Sequence, residues 1–271
     1  MNRPSLLMLK GMFGKKLTDS IAYIKKNTMK KKLLLLLMIS LVLGCKKEAT
    51  KDTEQEQDLI NEEAQEWSYL FDGESFDGWH TYLKDTISSQ WQIEDGVMFY
   101  KPDPDKNQGM NNLVTDKKFK NFELSIEWKI SVDGNSGVFF GVLEDERYVV
   151  PYMTAPEVQI RDYTNIPDFT DKQQMSGAIF GISGVENDVS HKAGEWNHFL
   201  IRIDHSANEG SVTLNDVEVT KFPVNGAEWQ SMVRNTKFKD WEGFGVTQEG
   251  HIGLQDHAHG VWFRNIKIKE L

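Results

Sequence analysis

Phe122-Glu123-Leu124-Ser125-Ile126-Glu127-Trp128-Lys129-Ile130 alternates apolar and polar residues without interruption. In an extended chain successive side chains point to opposite faces. Phe122, Leu124, Ile126, Trp128 and Ile130 therefore share an apolar face, and Glu123, Ser125, Glu127 and Lys129 share the other. This is the pattern of a strand with one side on a core. Similar runs cover Trp91–Tyr100, Phe199–Ile203, Ser211–Thr220, Ile252–Leu254 and Val261–Ile268. Asp95-Gly96, Asp133-Gly134, Glu209-Gly210 and Asn225-Gly226 supply turns. Only Ala227–Lys239 predicts a helix, and a short one. The fold class is all-β, and for a region spanning residues 67–271 a jelly-roll sandwich of two antiparallel sheets is favoured over a small barrel. No internal repeat points to a propeller.

Outward from this strand, the whole chain has 271 residues, of which 39% are hydrophobic and 11% aromatic, enough for a substantial core. Its formal charge of −10 is unevenly spread: residues 1–45 hold nine Lys and Arg and one acid, leaving 22 against 40 in the rest. So acidic a remainder repels phosphate backbones and anionic lipid, which argues against nucleic acid as a partner and for a neutral small molecule. A single cysteine excludes a disulfide framework and a multi-thiolate zinc site.

That cysteine has a context. Met29-Lys30-Lys31-Lys32 precedes the apolar run Leu33–Leu43, too short for a membrane span of about 20 residues but suited to a signal peptide. Leu41-Val42-Leu43-Gly44-Cys45 is similar to a bacterial lipobox, which makes Cys45 the expected site of lipid attachment and Met29 the expected start. Residues 1–45 are thus read as an N-terminal extension and lipoprotein signal, residues 46–66 as a charged, aromatic-free tether, and residues 67–271 as the folded domain. The expected location is the bacterial cell envelope, with membrane contact only through the lipid.

Candidate chemistry concentrates in two segments. Glu157-Val158-Gln159-Ile160-Arg161-Asp162 projects Glu157, Gln159 and Arg161 to one face while Val158 and Ile160 anchor it, a polar row suited to sugar hydroxyls. The segment resembles the Glu-x-Asp-x-x-Glu strand of laminarinase-like sandwiches, with Gln159 at the middle acid and Asp162 in place of the last. Ordinary glycoside hydrolysis uses two carboxyl groups, so that chemistry is under-supplied here. His251-Ile252-Gly253-Leu254-Gln255-Asp256-His257-Ala258-His259 places His251, Gly253, Gln255 and His257 on one face. His251 and His257 would lie about 20 Å apart in a straight strand, so a divalent metal would need a bend, and an acid–base or hydrogen-bonding role for His257 is favoured. No cofactor is expected. Between these segments Gly134-Asn135-Ser136-Gly137 allows a close backbone approach or a tight turn. Trp91, Trp128 and Trp262 are expected in the core, and Trp79 and Trp241 near loops where a sugar could stack.

Taken in order, these pieces resemble the 3-keto-disaccharide hydrolase domain family over residues 67–271. The resemblance rests on Leu70-Phe71-Asp72-Gly73 with Gly78-Trp79, Glu94-Asp95-Gly96-Val97, Asn121-Phe122-Glu123-Leu124, Asn135-Ser136-Gly137-Val138, Glu157-Val158-Gln159-Ile160, Ser176-Gly177-Ala178-Ile179, Gly194-Glu195-Trp196-Asn197, Gly250-His251-Ile252-Gly253-Leu254-Gln255-Asp256-His257 and Phe263-Arg264-Asn265-Ile266. It implies a concanavalin A-like sandwich and cleavage of an oligosaccharide or glycoside already oxidised at C3 by a partner dehydrogenase. A C3 ketone acidifies the C2 proton, so one base can start an elimination that water completes. With that chemistry, Glu157 or His257 is the candidate base, Lys129, Asn135 or Arg264 a ligand of the enolate or a hydroxyl, and Gln159, Asp162, Gln255 and Asp256 sugar-positioning groups. Phe180, in Gly177-Ala178-Ile179-Phe180, stands where the family pattern has a Tyr. A non-catalytic carbohydrate-binding module on the same sandwich is the alternative.

Overall fold

The computed structural model describes residues 66–103, 105 and 110–271. Cys45, the signal segment and the tether up to residue 65 lie outside the described residues. The strands are β1 (Ser68–Tyr69), β2 (Trp79–Thr81), β3 (Trp91–Glu94), β4 (Val97–Tyr100), β5 (Leu113–Thr115), β6 (Phe122–Ile130), β7 (Asn135–Val142), β8 (Glu157–Arg161), β9 (Asn197–Asp204), β10 (Glu209–Leu214), β11 (Val217–Phe222), β12 (His251–Leu254) and β13 (Val261–Glu270). Among the described residues one α-helix, α1 (Gly226–Arg234), accompanies them.

The larger sheet runs β11-β10-β9-β6-β13-β4-β3, with β1 paired to β13, and the smaller runs β2-β5-β12-β7-β8. All pairings are antiparallel. The expected sandwich of two antiparallel sheets is thus what the chain adopts. A single core joins the sheets. Leu124, Ile126, Trp128, Phe199, Ile201 and Phe263 enter it from the larger sheet, and Val138, Phe140, Val158, Ile160 and Leu254 from the smaller. The alternation in β6 explains its central place: Ile126 sits opposite Phe199 and Trp128 opposite Phe263, and the Trp128 and Phe199 rings lie 5.2 Å apart. A buried aromatic pair of this kind adds about 0.5–1.5 kcal/mol beyond its area.

Several expectations are corrected. The Ser211–Thr220 run is a hairpin, because Asn215 and Asp216 both take positive φ (49° and 66°) and turn the chain between β10 and β11. Glu209-Gly210 opens β10, and the preceding turn uses Asn208 at φ 57°. The helix stops at Arg234 rather than Lys239: the Thr236 hydroxyl donates to the Val233 carbonyl (2.8 Å) and accepts from the Phe238 amide (3.1 Å), diverting the chain from helical pairing. Trp79 is a core residue whose indole N–H donates to the Leu70 carbonyl (2.6 Å). Trp262 is half-buried on the outer face of the larger sheet, since Val261 and Phe263 take the inward positions.

Candidate active site

Strand β8 forms the floor of a pocket on the outer face of the smaller sheet. Val158 and Ile160 point inward, so Glu157 and Gln159 point out. Opposite them in β7 lie Phe139 and Gly137. Gly137 is there for space: a Cβ at this position would stand 2.4 Å from Glu157 Oε1. Only a bare backbone lets the carboxyl lie flat across the neighbouring strand. Beyond the end of β12, Gln255 is fixed by its own backbone, its N–H donating to the Gly137 carbonyl (3.0 Å) and its carbonyl accepting from the Ser136 hydroxyl (2.8 Å). Its side-chain amide then donates to Glu157 Oε2 at 3.0 Å.

The walls come from loops. Ser176–Gly181 pairs along the free edge of β8, the Phe180 amide donating to the Glu157 carbonyl (2.9 Å), which sets the Phe180 ring beside the carboxyl strand. The turns after α1 bring Lys237, Phe238, Trp241 and Phe244, with the Phe238 and Phe244 rings stacked at 4.1 Å. Tyr152 and Ala155 come from the segment after β7. That segment is held down by His80, whose ring nitrogens meet Asp116 (2.6 Å) and Glu144 (2.9 Å), and by the Tyr82 hydroxyl, which donates to the Tyr148 carbonyl (2.6 Å). The pocket holds about 320 Å³, enough for a sugar ring.

Electrostatics single out one group. Glu157 is 9% exposed, and burial raises its pKa to about 8 against the pull of the Gln255 hydrogen bond and the Lys237 charge. Two acceptors lining the pocket, Asn135 Oδ1 and Gln255 Oε1, are buried without a hydrogen-bond partner. Buried orphan acceptors are expensive, and ligand hydroxyls would satisfy them.

Of the residues expected at the site, Glu157, Gln159, Asn135, Gln255 and His257 line this one pocket. The other four do not. Lys129 lies 5.0 Å from the Trp196 ring and 4.8 Å from the Trp262 ring. Arg264 donates to Glu127 Oε2 at 2.7 Å and covers Trp196 at 4.0 Å. Both project from the outer face of the larger sheet, across the sandwich from the pocket, because alternation fixes a residue's face but not its sheet. Asp162 ties down the turn after β6, accepting from the Asp133 amide (2.8 Å) and the Thr164 hydroxyl (2.6 Å). Asp256 is fully buried and accepts from the Asn111 amide (3.1 Å). His251 also departs from the expected row: its pairing with β7 shifts register, and its Nδ1 donates to the Thr115 carbonyl (2.6 Å). Trp241 does stand in the pocket wall, as its loop position suggested. Lys237, Phe238, Phe244, Tyr152 and Ala155 were missed, since no periodic signal marks them.

Comparison with known proteins places the molecule among relatives. The profile of the 3-keto-alpha-glucoside-1,2-lyase-like domain family matches residues 66–269. A 3-keto-disaccharide hydrolase of Bacteroides thetaiotaomicron is 34% identical over 230 residues, covering 74% of this chain and 77% of the relative. A solved structure from Parabacteroides distasonis, assigned as a glycosyl hydrolase, superposes with a TM-score of 0.70 at 27% identity, covering 78% of this chain and 96% of its own. A second from the same organism gives 0.58 at 27% identity, covering 76% and 100%.

Proposed function

Because the chain belongs to the 3-keto-alpha-glucoside-1,2-lyase-like domain family, and is with it a glycosidic-bond-cleaving enzyme, we propose that it cleaves glycosides of sugars carrying a ketone at C3, by elimination followed by hydration. The observation that carries this reading is a single buried carboxyl, Glu157, facing a sugar-sized pocket that has no second carboxylate in its lining among the described residues. One carboxyl is too few for ordinary retaining or inverting hydrolysis. It is sufficient for a substrate whose C2–H is already acidic.

In this mechanism the Glu157 carboxylate removes the C2 proton, and the C–H electron pair moves into a C2=C3 enolate. As the carbonyl re-forms, a C1=C2 double bond is made and the C1–O bond breaks. His257, at the pocket mouth, gives a proton to the departing oxygen. Water deprotonated by the same imidazole then adds at C1 while Glu157 returns its proton to C2. Both residues end as they began, and the sum is hydrolysis. Gln255 orients the Glu157 carboxyl, while Asn135 Oδ1 and Gln255 Oε1 accept from sugar hydroxyls. Burial gives Glu157 its basicity: a carboxylate with a pKa near 8 is a far stronger base than one near 4.5.

A chromogenic 3-keto-glucoside incubated with purified protein tests the reading. Wild type should release the aglycone, with the acid limb of its pH–rate profile set by ionisation of Glu157 near pH 8. Glu157→Gln should lose about 10³-fold or more of that rate. Release from the unoxidised glucoside at a comparable rate would show a conventional glycosidase instead. Binding of unoxidised oligosaccharide without any turnover would favour a lectin.

A further inference from the structure

The pocket contains a cation to which the reading of the sequence gave no role. Lys237 stands on the pocket wall just past the end of α1. Among the described residues no carboxylate pairs with its ammonium. Its Nζ lies 4.2 Å from the centre of the Phe180 ring and 5.1 Å from that of Phe238. Ring faces hold an ammonium in place without neutralising it. The charge reaches the Glu157 carboxyl, where it opposes the effect of burial. An uncompensated positive charge thus shares a small, partly enclosed volume with the one carboxyl that the described residues place in the lining.

We propose that Lys237 is a catalytic residue that donates to the C3 oxygen of the substrate and balances the negative charge gathering there as the C2 proton leaves. This rests on the enzymatic reading above. Among the lining groups Lys237 alone carries a fixed positive charge. Gln255 commits one amide N–H to Glu157, and the two orphan atoms of the floor, Asn135 Oδ1 and Gln255 Oε1, are acceptors, suited to hydroxyls and repelled by an oxyanion. Phe180 has no hydroxyl to offer. In the step itself the C2–H pair becomes the C2=C3 bond, the carbonyl pair moves onto the C3 oxygen, and an ammonium N–H shortens its contact to that oxygen without transferring its proton. When the carbonyl re-forms and the C1–O bond breaks, the contact relaxes. Fixed donors aimed at developing charge are typically worth about 10²–10³ in rate.

The test is the steady-state kinetics of Lys237→Met and Lys237→Arg on a neutral 3-keto-glucoside, with wild type and Glu157→Gln alongside. Lys237 is exposed, so both variants should unfold at the wild-type midpoint. We expect Lys237→Met to lose about 10²-fold in kcat with KM changed by less than about threefold, and Lys237→Arg to recover part of the loss. Removing the ammonium should also move the rising limb of the pH–rate profile to higher pH, because the charge no longer favours the Glu157 carboxylate. A Lys237→Met kcat within about threefold of wild type overturns the proposal, as does a change confined to KM, which would make Lys237 a binding group. The underlying reading fails by a separate signature: an inert wild type, or a Glu157→Gln variant that turns over normally.

Discussion

Glu157 makes the stability of the molecule depend on pH as well as its chemistry. Its folded pKa, about 8, lies above the ordinary value of 4.5, so the native state holds a proton that the unfolded chain releases. The associated stability is fully present below pH 4.5 and is lost as pH rises through 8, with an upper bound on the order of 5 kcal/mol. Urea denaturation at pH 5 and pH 9 should therefore show wild type weakening across this interval more than Glu157→Gln, which keeps the shape and has no proton to lose. Equal slopes for the two proteins would mean that water reaches the carboxyl freely. The residue was identifiable beforehand, because the alternation through Glu157-Val158-Gln159-Ile160 sends the acid and the amide to one face. Lys129 and Arg264 were misjudged for the complementary reason. Their strands alternate just as cleanly, but period two does not record which of two sheets a strand joins.

At the scale of elements, the strands were legible and the turns less so. The nine-residue pattern of β6 fixed both its faces, whereas Asn215-Asp216 hides a reversal inside what reads as one run. The Ser176–Gly181 edge segment shows how little such loops disclose. Gly177 adopts φ 88°, and an added Cβ would meet Val219 Cγ2 at 2.8 Å. Gly177→Ala should then cost about 1–3 kcal/mol through left-handed strain and overpacking. It should also lower kcat/KM, because the same segment sets Phe180 beside Glu157. Chemical denaturation and steady-state kinetics on one preparation check both effects, and a variant of wild-type stability would show that this edge is free to shift. The aromatic walls stayed invisible in the sequence because Phe238, Trp241 and Phe244 meet through turns after α1, where no period governs which side chain faces inward.

At the scale of the whole molecule, the sequence before the sandwich carries its own prediction. We propose that Cys45 is lipidated and holds the protein at the cell envelope, where a partner dehydrogenase would supply the oxidised sugar. Cys45→Ala should move the protein from the membrane fraction to the soluble fraction without altering turnover, and retention on membranes would refute the assignment. The sandwich was foreseeable as a whole because its segments agree: strand periodicity, turn residues and a single short helical stretch all describe the same two-layer core.

Glu157, Gln159 and Gln255 are held by strand backbone and the stretch just past β12, whereas Phe180, Lys237, Phe238 and Trp241 arrive on connecting segments. Proton abstraction is consequently built on the sheet, while selectivity rides on the connections, together with the Lys237 charge. Lengthening or recolouring the connections can retune which sugars are admitted while the Glu157 carboxyl, riveted to the sheet, stays in place.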